Sequence, residues 1–287
     1  MTIQRAIKLF LILIITISIS SCNLINPEEK IPAYFEVNKI LVSSDYLTQG
    51  TSANGVENVW VYADGQYIGT YQLPARFPIL LSGVHKIQLG AGILVNGIDA
   101  TREAYTLYKF YETDVDLKAG ETTVFDTINV SYFPALKYSW FEDIEGSGVS
   151  LDTLPASKVP LEIDTTQAFE GKGCLKFYVH DSLDVLECSS NEAYKLPLGT
   201  DCFLELNYKC DHVFYVGLIS NFSTYTLKNP IIRINPSETW KKIYIKLNAT
   251  LSANGTAIDH NVWFREDLGT GGTSGTVYLD NIKLIHR

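Results

Sequence analysis

Side chains able to do acid–base or nucleophilic work are scattered along this chain, not grouped. Its five histidines, His85, His180, His212, His260 and His286, never fall at a metal-ligand spacing, so HExxH and its relatives are absent. "GTGGTSGT", over 269–276, is rich in glycine but lacks the Lys-Ser/Thr ending of a phosphate loop. It reads instead as a flexible hairpin ahead of a final strand. No G-x-S-x-G occurs, so a serine-hydrolase elbow is missing. Glu142, Asp143 and Glu145 are carboxylates of the kind that cut glycosidic bonds, but neighbours in sequence read first as solvated loop charges. With no nucleophile, base and oxyanion set in view, the chain reads as non-catalytic.

Binding chemistry is better represented. Alternate residues of a strand face opposite sides, so parity sorts a core face from an open one. In "WKKIYIKL" the residues Ile243, Ile245 and Leu247 face inward, leaving Trp240, Lys242, Tyr244 and Lys246 outward. In "NVWFRE" Val262 and Phe264 face inward, leaving Asn261, Trp263 and Arg265 outward. If the two strands share a sheet, its open face carries aromatic rings among cationic and amide groups. Sugar rings stack their C–H faces on such aromatics while polar groups hold the hydroxyls. The other reading makes Trp240 and Trp263 rim residues that cap the fold or pack on a neighbouring domain.

The elements that must position these residues are strands. Seventeen tyrosines against a single methionine, with many β-branched residues, favour sheet over helix. "AYFEVNKILV" alternates as a strand does, and the turn-rich "SSDYLTQGTSANG" follows it. In "VENVWVYADGQYIGTYQLP" the pair Asp64-Gly65 between alternating runs predicts a type I′ hairpin. Ser82-Gly83 and Ala119-Gly120 repeat the device in the next two segments, which together read as an Ig-like β-sandwich over 31–133. Near Phe133-Pro134 the register changes, and 134–287 reads as a second β module.

Two resemblances sharpen this. "VWVYADGQYIGTYQLPARFPILLSGVHKIQL" resembles PEGA-type and carboxypeptidase-regulatory-like modules, whose pattern is V-x-V-x-x-D-G-x-x-I-G, then P, then G-x-H-x-I. From "SWFEDIEG" through "FEGKGCLKFYV", "DCFLELNYKC" and "WKKIYIKL" to "GTVYLDNIKLI", the second module resembles carbohydrate-binding-like (galactose-binding-like) jelly-rolls. That resemblance implies a sandwich with a structural calcium shared by Glu145 and Asp280, with a backbone carbonyl around Lys172. Oxygen-only ligation suits such a hard cation. The alternative is that Asp280 only accepts hydrogen bonds from loop amides.

The N-terminus speaks of location. Arg5 and Lys8 precede an apolar run from Leu9 to Ile19, and small residues follow, the layout of a secretory signal peptide. The run is about half the roughly 20 residues a spanning helix needs. Ile19-Ser20-Ser21-Cys22 resembles the bacterial lipobox, which implies cleavage before Cys22, acylation there, and a multi-chain anchor that is effectively permanent. The signal peptide is then 1–21 and a tether follows over 22–30. The residue after Cys22 is Asn, which in enteric-type sorting favours the outer membrane; "NPEEK" resembles, at a later position, the acidic surface-export signal of Bacteroidetes-type lipoproteins. As a whole the chain resembles an uncharacterised envelope lipoprotein of that type. Removing the leader takes Arg5 and Lys8 with it, deepening the net charge of −9. Such an acidic chain is a poor partner for nucleic acid.

Four cysteines remain beyond Cys22, in a compartment that permits disulfides. Cys202 and Cys210 share one strand, too far apart to bond. A hairpin centred on Asp181 would place Cys174 opposite Cys188 in disulfide reach, while setting Leu175 against Glu187. Asp126-Thr127-Ile128, Asp152-Thr153-Leu154, Asp164-Thr165-Thr166 and Asp181-Ser182-Leu183 resemble the O-glycosylation motif of Bacteroidetes-type exported proteins. Thr153, Thr165 and Ser182 read as loop or turn sites, though Asp-Ser/Thr also simply favours turns. The sequence therefore predicts an all-β, lipid-anchored envelope protein that binds glycan or another surface ligand through its jelly-roll. The alternative role is an accessory subunit docking on an outer-membrane or surface protein assembly.

Overall fold

The computed structural model describes residues 3–4, 29–146, 148–270 and 272–287. Cys22, with the rest of the chain from 5 to 28, lies outside the described residues. Among the described residues, no helix is long and apolar enough to cross a membrane.

The chain from Ala33 to Ser131 builds the first sandwich. Its strands are β1 (Ala33–Ser43), β2 (Asn58–Ala63), β3 (Gln66–Gln72), β4 (Ala75–Ile79), β5 (Gly83–Leu94), β6 (Arg102–Ala104), β7 (Tyr111–Leu117) and β8 (Thr122–Ser131). A one-turn helix, α1 (Tyr46–Gln49), interrupts them after β1. One sheet has the order β4-β1-β8, with β1 and β8 parallel; the other has the order β3-β2-β5-β6, with β7 also on β5. Alternation decides what meets between them. Phe35, Val37 and Phe77 from one sheet and Val59, Val61, Ile87 and Leu89 from the other share a single core.

Asp64 (φ 50°) and Gly65 (φ 79°) form the left-handed turn of the predicted β2–β3 hairpin. The two other turns are corrections. Ser82-Gly83 joins β4 to β5 and Ala119-Gly120 joins β7 to β8, and each pair of strands is split between the two sheets. Both turns are arches from sheet to sheet. The left-handed glycine that a hairpin uses serves an arch equally, so local sequence does not say which sheet the next strand joins.

The second sandwich contains β9 (Lys137–Glu142), β10 (Leu151–Thr153), β11 (Glu162–Asp164), β12 (Cys174–His180), β13 (Val185–Ser190), β14 (Cys202–Cys210) and β15 (Phe214–Asn221). It continues with β16 (Thr226–Ile234), β17 (Ser237–Lys246), the short helix α2 (Asn248–Ala253), β18 (Asp259–Asp267) and β19 (Ser274–His286). One sheet runs β10-β13-β18-β15-β16, and the other runs β11-β12-β19-β14-β17 with β9 also paired to β19. Leu204, Leu206, Ile243, Ile245 and Leu279 of the second sheet pack on Val216, Val262 and Phe264 of the first. The whole is all-β, an Ig-like sandwich followed by a jelly-roll sandwich.

The predicted Cys174–Cys188 disulfide is absent. After β12 the chain turns through Asp181 (φ 47°) and crosses to the opposite sheet, so β12 and β13 are not hairpin partners. Both thiols are free and buried, as are those of Cys202 and Cys210. Burial pushes the Cys174 thiol up to about 12 and Cys188 higher still, which leaves both un-ionised and inert.

Candidate functional site

The outward surface of the β12-β19-β14-β17 sheet is divided in two, and the division locates the site. On one half, Phe203, Tyr244 and Ile285 belong to the core of the first sandwich. The Tyr244 ring lies 4.9 Å from that of Tyr105, and its hydroxyl accepts a hydrogen bond from the Gly55 amide at 3.0 Å. Beside it Glu205 is fully buried, accepting from Tyr105 at 2.6 Å and from Tyr132 at 2.9 Å. Lys242 stands 3.3 Å from the same carboxylate, and Lys283 donates to the Thr51 carbonyl at 2.7 Å. Burial alone would raise the Glu205 carboxyl, but the Lys242 and Lys283 ammoniums and the tyrosine hydroxyls outweigh it and hold it down. Burial lowers Lys242, and it lowers Lys283 to about 7.

Lys242 and Tyr244 do face outward from the jelly-roll, as parity requires, but the first sandwich covers them. Only 2% of the Lys242 side chain and 1% of Tyr244 is exposed. They hold the two modules together and are closed to a ligand.

The other half of the surface is open. Trp240 of β17 stands with Phe169 at 5.6 Å and Tyr278 of β19 at 6.5 Å between ring centroids. Lys209 of β14 lies 5.7 Å over the Tyr278 ring and donates to Gln167 at 2.7 Å. On β12, Lys176 lies 5.3 Å from the Tyr178 ring, which stacks on His180 at 5.0 Å. Phe169 and Tyr178 are exposed, while Trp240, Lys209 and Tyr278 are half-buried. Lys209 pairs with Tyr278 across β14–β19 and Tyr278 with Lys176 across β19–β12. The strip thus crosses four strands from β17 to β12, about 14 Å at the usual strand spacing. A hollow of about 340 Å³ opens beside it, lined by Gln167, Lys209, Asp211, Glu238, Thr276 and Tyr278.

Trp240 is the residue that parity and structure share. Phe169, Tyr178 and Tyr278 were missed, although "CLKFYVH" and "TVYLD" carry the signal: Tyr178 and Tyr278 alternate with the buried Phe177, Val179, Val277 and Leu279.

Trp263, Asn261 and Arg265 are elsewhere. They lie on β18, in the opposite sheet from β17, so the single open face combining both tryptophans does not exist. Trp263 is buried, and its indole donates to Glu187 at 2.8 Å, where Lys228 also donates at 2.7 Å. Arg265 approaches the same carboxylate at 3.8 Å. Asn261 donates to the carbonyls of Ser190 and Glu192 at 2.8 and 2.9 Å. These contacts are structural, made to one oxygen of Glu187 and to strand-end carbonyls.

The carboxylates of Glu145 and Asp280 are both engaged by loop amides. Asp280 accepts from the amides of Phe169, Glu170 and Asn281 at 3.0, 3.3 and 2.7 Å. Glu145 accepts from the amide of Lys172 at 2.6 Å, so that residue offers its N–H to the carboxylate. Among the described residues no cluster of three His, Cys, Asp or Glu is placed to hold a metal. N–H groups aimed at carboxylate oxygens are partners for an anion, whereas calcium takes six to eight oxygens. Burial raises the Asp280 carboxyl to about 7 against the pull of those amides.

Thr153, Thr165 and Ser182, together with Thr127, are all exposed. Thr153 ends strand β10 and so is not in a loop.

No protein-family model matches this chain, and no curated protein matches it. Several solved structures are similar to it. A family 29 carbohydrate-binding module complexed with mannohexaose shares 12% identity at a TM-score of 0.36, over 52% of this chain and 92% of that one. The CBM22-1–GH10 modules of Clostridium thermocellum xylanase 10B, complexed with xylohexaose, share 14% at 0.41, over 53% of this chain and 28% of that one. A family 30 carbohydrate-binding module of a Clostridium thermocellum cellulosomal cellulase shares 15% at 0.36, over 52% of this chain and 92% of that one.

Proposed function

We propose that this protein is a non-catalytic glycan-binding component of the cell envelope, held by a lipid on Cys22 in the outer membrane. The ligand lies along the open half of the jelly-roll sheet. The observation that carries this reading is the strip of Trp240, Phe169, Tyr278 and Tyr178 left uncovered on a sheet whose other half is closed. On the inward faces of the jelly-roll sheets the aromatics Phe177 and Phe264 are buried. Here Trp240, Tyr278 and Tyr178 stand on strands and a loop brings Phe169 beside them, interleaved with Lys209, Lys176 and Gln167. A flat apolar ring beside a few placed polar groups is the chemistry that takes a pyranose: the ring stacks on its C–H face and the polar groups hold its hydroxyls.

Affinity electrophoresis and a glycan array test it. The wild-type chain should be retained by at least one polysaccharide, and Trp240→Ala and Tyr278→Ala should abolish that retention while the melting temperature holds. Retention that survives both substitutions rejects the strip as the site.

A further inference from the structure

Strand β5 runs the length of the first sandwich. Past its C-terminal end, the Asn96 amide donates to the Tyr244 carbonyl at 2.8 Å, where the two sandwiches meet. Its N-terminal end, Gly83, lies about 36 Å away at the usual rise per residue. The chain enters the fold at that far end. The Gly120 amide donates to the Pro32 carbonyl at 2.9 Å, which lays residues 29–32 against the β7–β8 arch.

The same end carries apolar side chains with nothing over them. Ile31 is 68% exposed, Leu80 65% and Val84 71%. Ile31, Leu80, Leu81 and Ala119 line one hollow of about 430 Å³, with Glu29, Lys30 and Ser82 at its polar edge. Single exposed apolar residues are ordinary. Several gathered where the chain enters mark a surface that meets something apolar, although Leu41, Leu47 and Ile98 are exposed singly elsewhere on the sandwich.

The tether says what. Nine residue-to-residue steps lead from Cys22 to Ile31, which span at most about 32 Å when fully extended. An anchor on Cys22 would hold Ile31 within about 32 Å of the bilayer, so this end of the first sandwich can reach it. We infer that Ile31, Leu80 and Val84 dock on the lipid bilayer, their side chains entering the boundary between headgroups and acyl chains. Amphipathic protein surfaces bury about 5–10 Å into that boundary. The inference rests on the lipid-anchored reading of Cys22, and it adds an orientation: the first sandwich is a stand that holds the glycan strip away from the membrane.

The acylated full-length protein, reconstituted in phosphatidylethanolamine–phosphatidylglycerol vesicles, tests this. Leu80→Cys and Val84→Cys are labelled with bimane; the buried Cys174, Cys188, Cys202 and Cys210 do not compete. Leu227→Cys, 44% exposed on the jelly-roll, is the control. The probes at 80 and 84 should shift to the blue and lose about half their emission to nitroxide-bearing lipid, as expected for that depth. The probe at 227 should stay water-like. Water-like emission at 80 and 84 in protein that floats with the vesicles overturns the docking and leaves the anchor standing. Failure to float overturns both. Shielding that grows with protein density and resists the lipid quencher assigns the patch to a second copy of the chain, and also overturns the docking.

Discussion

The hydroxyl of Tyr132, just past the last strand of the first sandwich, donates to Glu205 in the middle of the jelly-roll sheet at 2.9 Å, with both side chains buried. This contact explains why half of an otherwise suitable binding surface is closed. Glu205, Lys242 and Lys283 are charges that the interior tolerates only together; Tyr105 and Tyr132 donate to Glu205, while the Lys242 ammonium faces it at 3.3 Å without a hydrogen bond.

Tyr132→Phe should cost about 1.5–3 kcal/mol, the usual worth of a hydrogen bond to a charged group. Glu205→Ala should cost more, about 3–5 kcal/mol, because it leaves Lys242 and Lys283 buried without their counter-charge. Urea unfolding followed by tyrosine and tryptophan fluorescence measures both. If the network couples the modules, they unfold in one transition in the wild type and in two after Glu205→Ala.

The two tryptophans should behave oppositely. Trp240→Ala removes a half-exposed ring of the strip, so glycan affinity should fall by ten-fold or more, about 1.4 kcal/mol or above, with little change in melting. Trp263→Ala empties a buried site and strands Glu187, so it should cost about 3–5 kcal/mol of stability and leave affinity unchanged. Isothermal titration alongside thermal melting separates the two; a binding defect in the Trp263 variant at a temperature where it is folded would contradict the assignment.

Glu266, inside the jelly-roll on β18, is fully buried, with His212 at 3.6 Å and no hydrogen bond to either carboxylate oxygen. Burial, reinforced by Asp211, raises its carboxyl to about 8. Asp280 is raised to about 7. A carboxyl whose folded pKa exceeds its unfolded one contributes its stability below the unfolded value and loses it as pH rises toward the folded value. These two carboxyls should therefore make stability decline between about pH 4.5 and 8, offset in part above about pH 7 by Lys283, whose lowered value acts in the opposite sense. Glu266→Gln should flatten that decline, raising the melting temperature at pH 8.5 and leaving it nearly unchanged at pH 4.5. A parallel shift at both pH values would contradict it.

Chelation should be without effect. The amides of Lys172, Phe169 and Glu170 already occupy the carboxylates of Glu145 and Asp280. Melting curves with EGTA and with excess calcium should therefore superimpose. A rise of several degrees with calcium would show that these loops rearrange around a cation.

Period-two patterning made the strands legible, because each one turns alternate residues toward its sandwich core whatever covers the other face. It sorted Ile243 and Ile245 from Trp240 and Tyr244, and Val262 and Phe264 from Trp263. Asp64-Gly65 announced its hairpin because a two-residue turn is decided within itself. The candidate site was legible only in Trp240. Phe169 comes from a loop that nothing in its own sequence folds over the sheet, and Tyr178 and Tyr278 join Trp240 only through the pairing of β12, β19, β14 and β17.

Sequence alone thus determined the all-β class, the two-module order, the expectation of a leader ending just before Cys22, and which side of each strand faces a core. Those follow from local rules of alternation, turn chemistry and apolar run length. Tertiary structure alone decided which strands share a sheet. It put Trp240 and Trp263 on opposite sheets, parted Cys174 from Cys188, turned two presumed hairpins into arches, and laid the first sandwich over Lys242 and Tyr244. An outward-facing residue shows its parity in sequence, but what covers it comes from more than a hundred residues away.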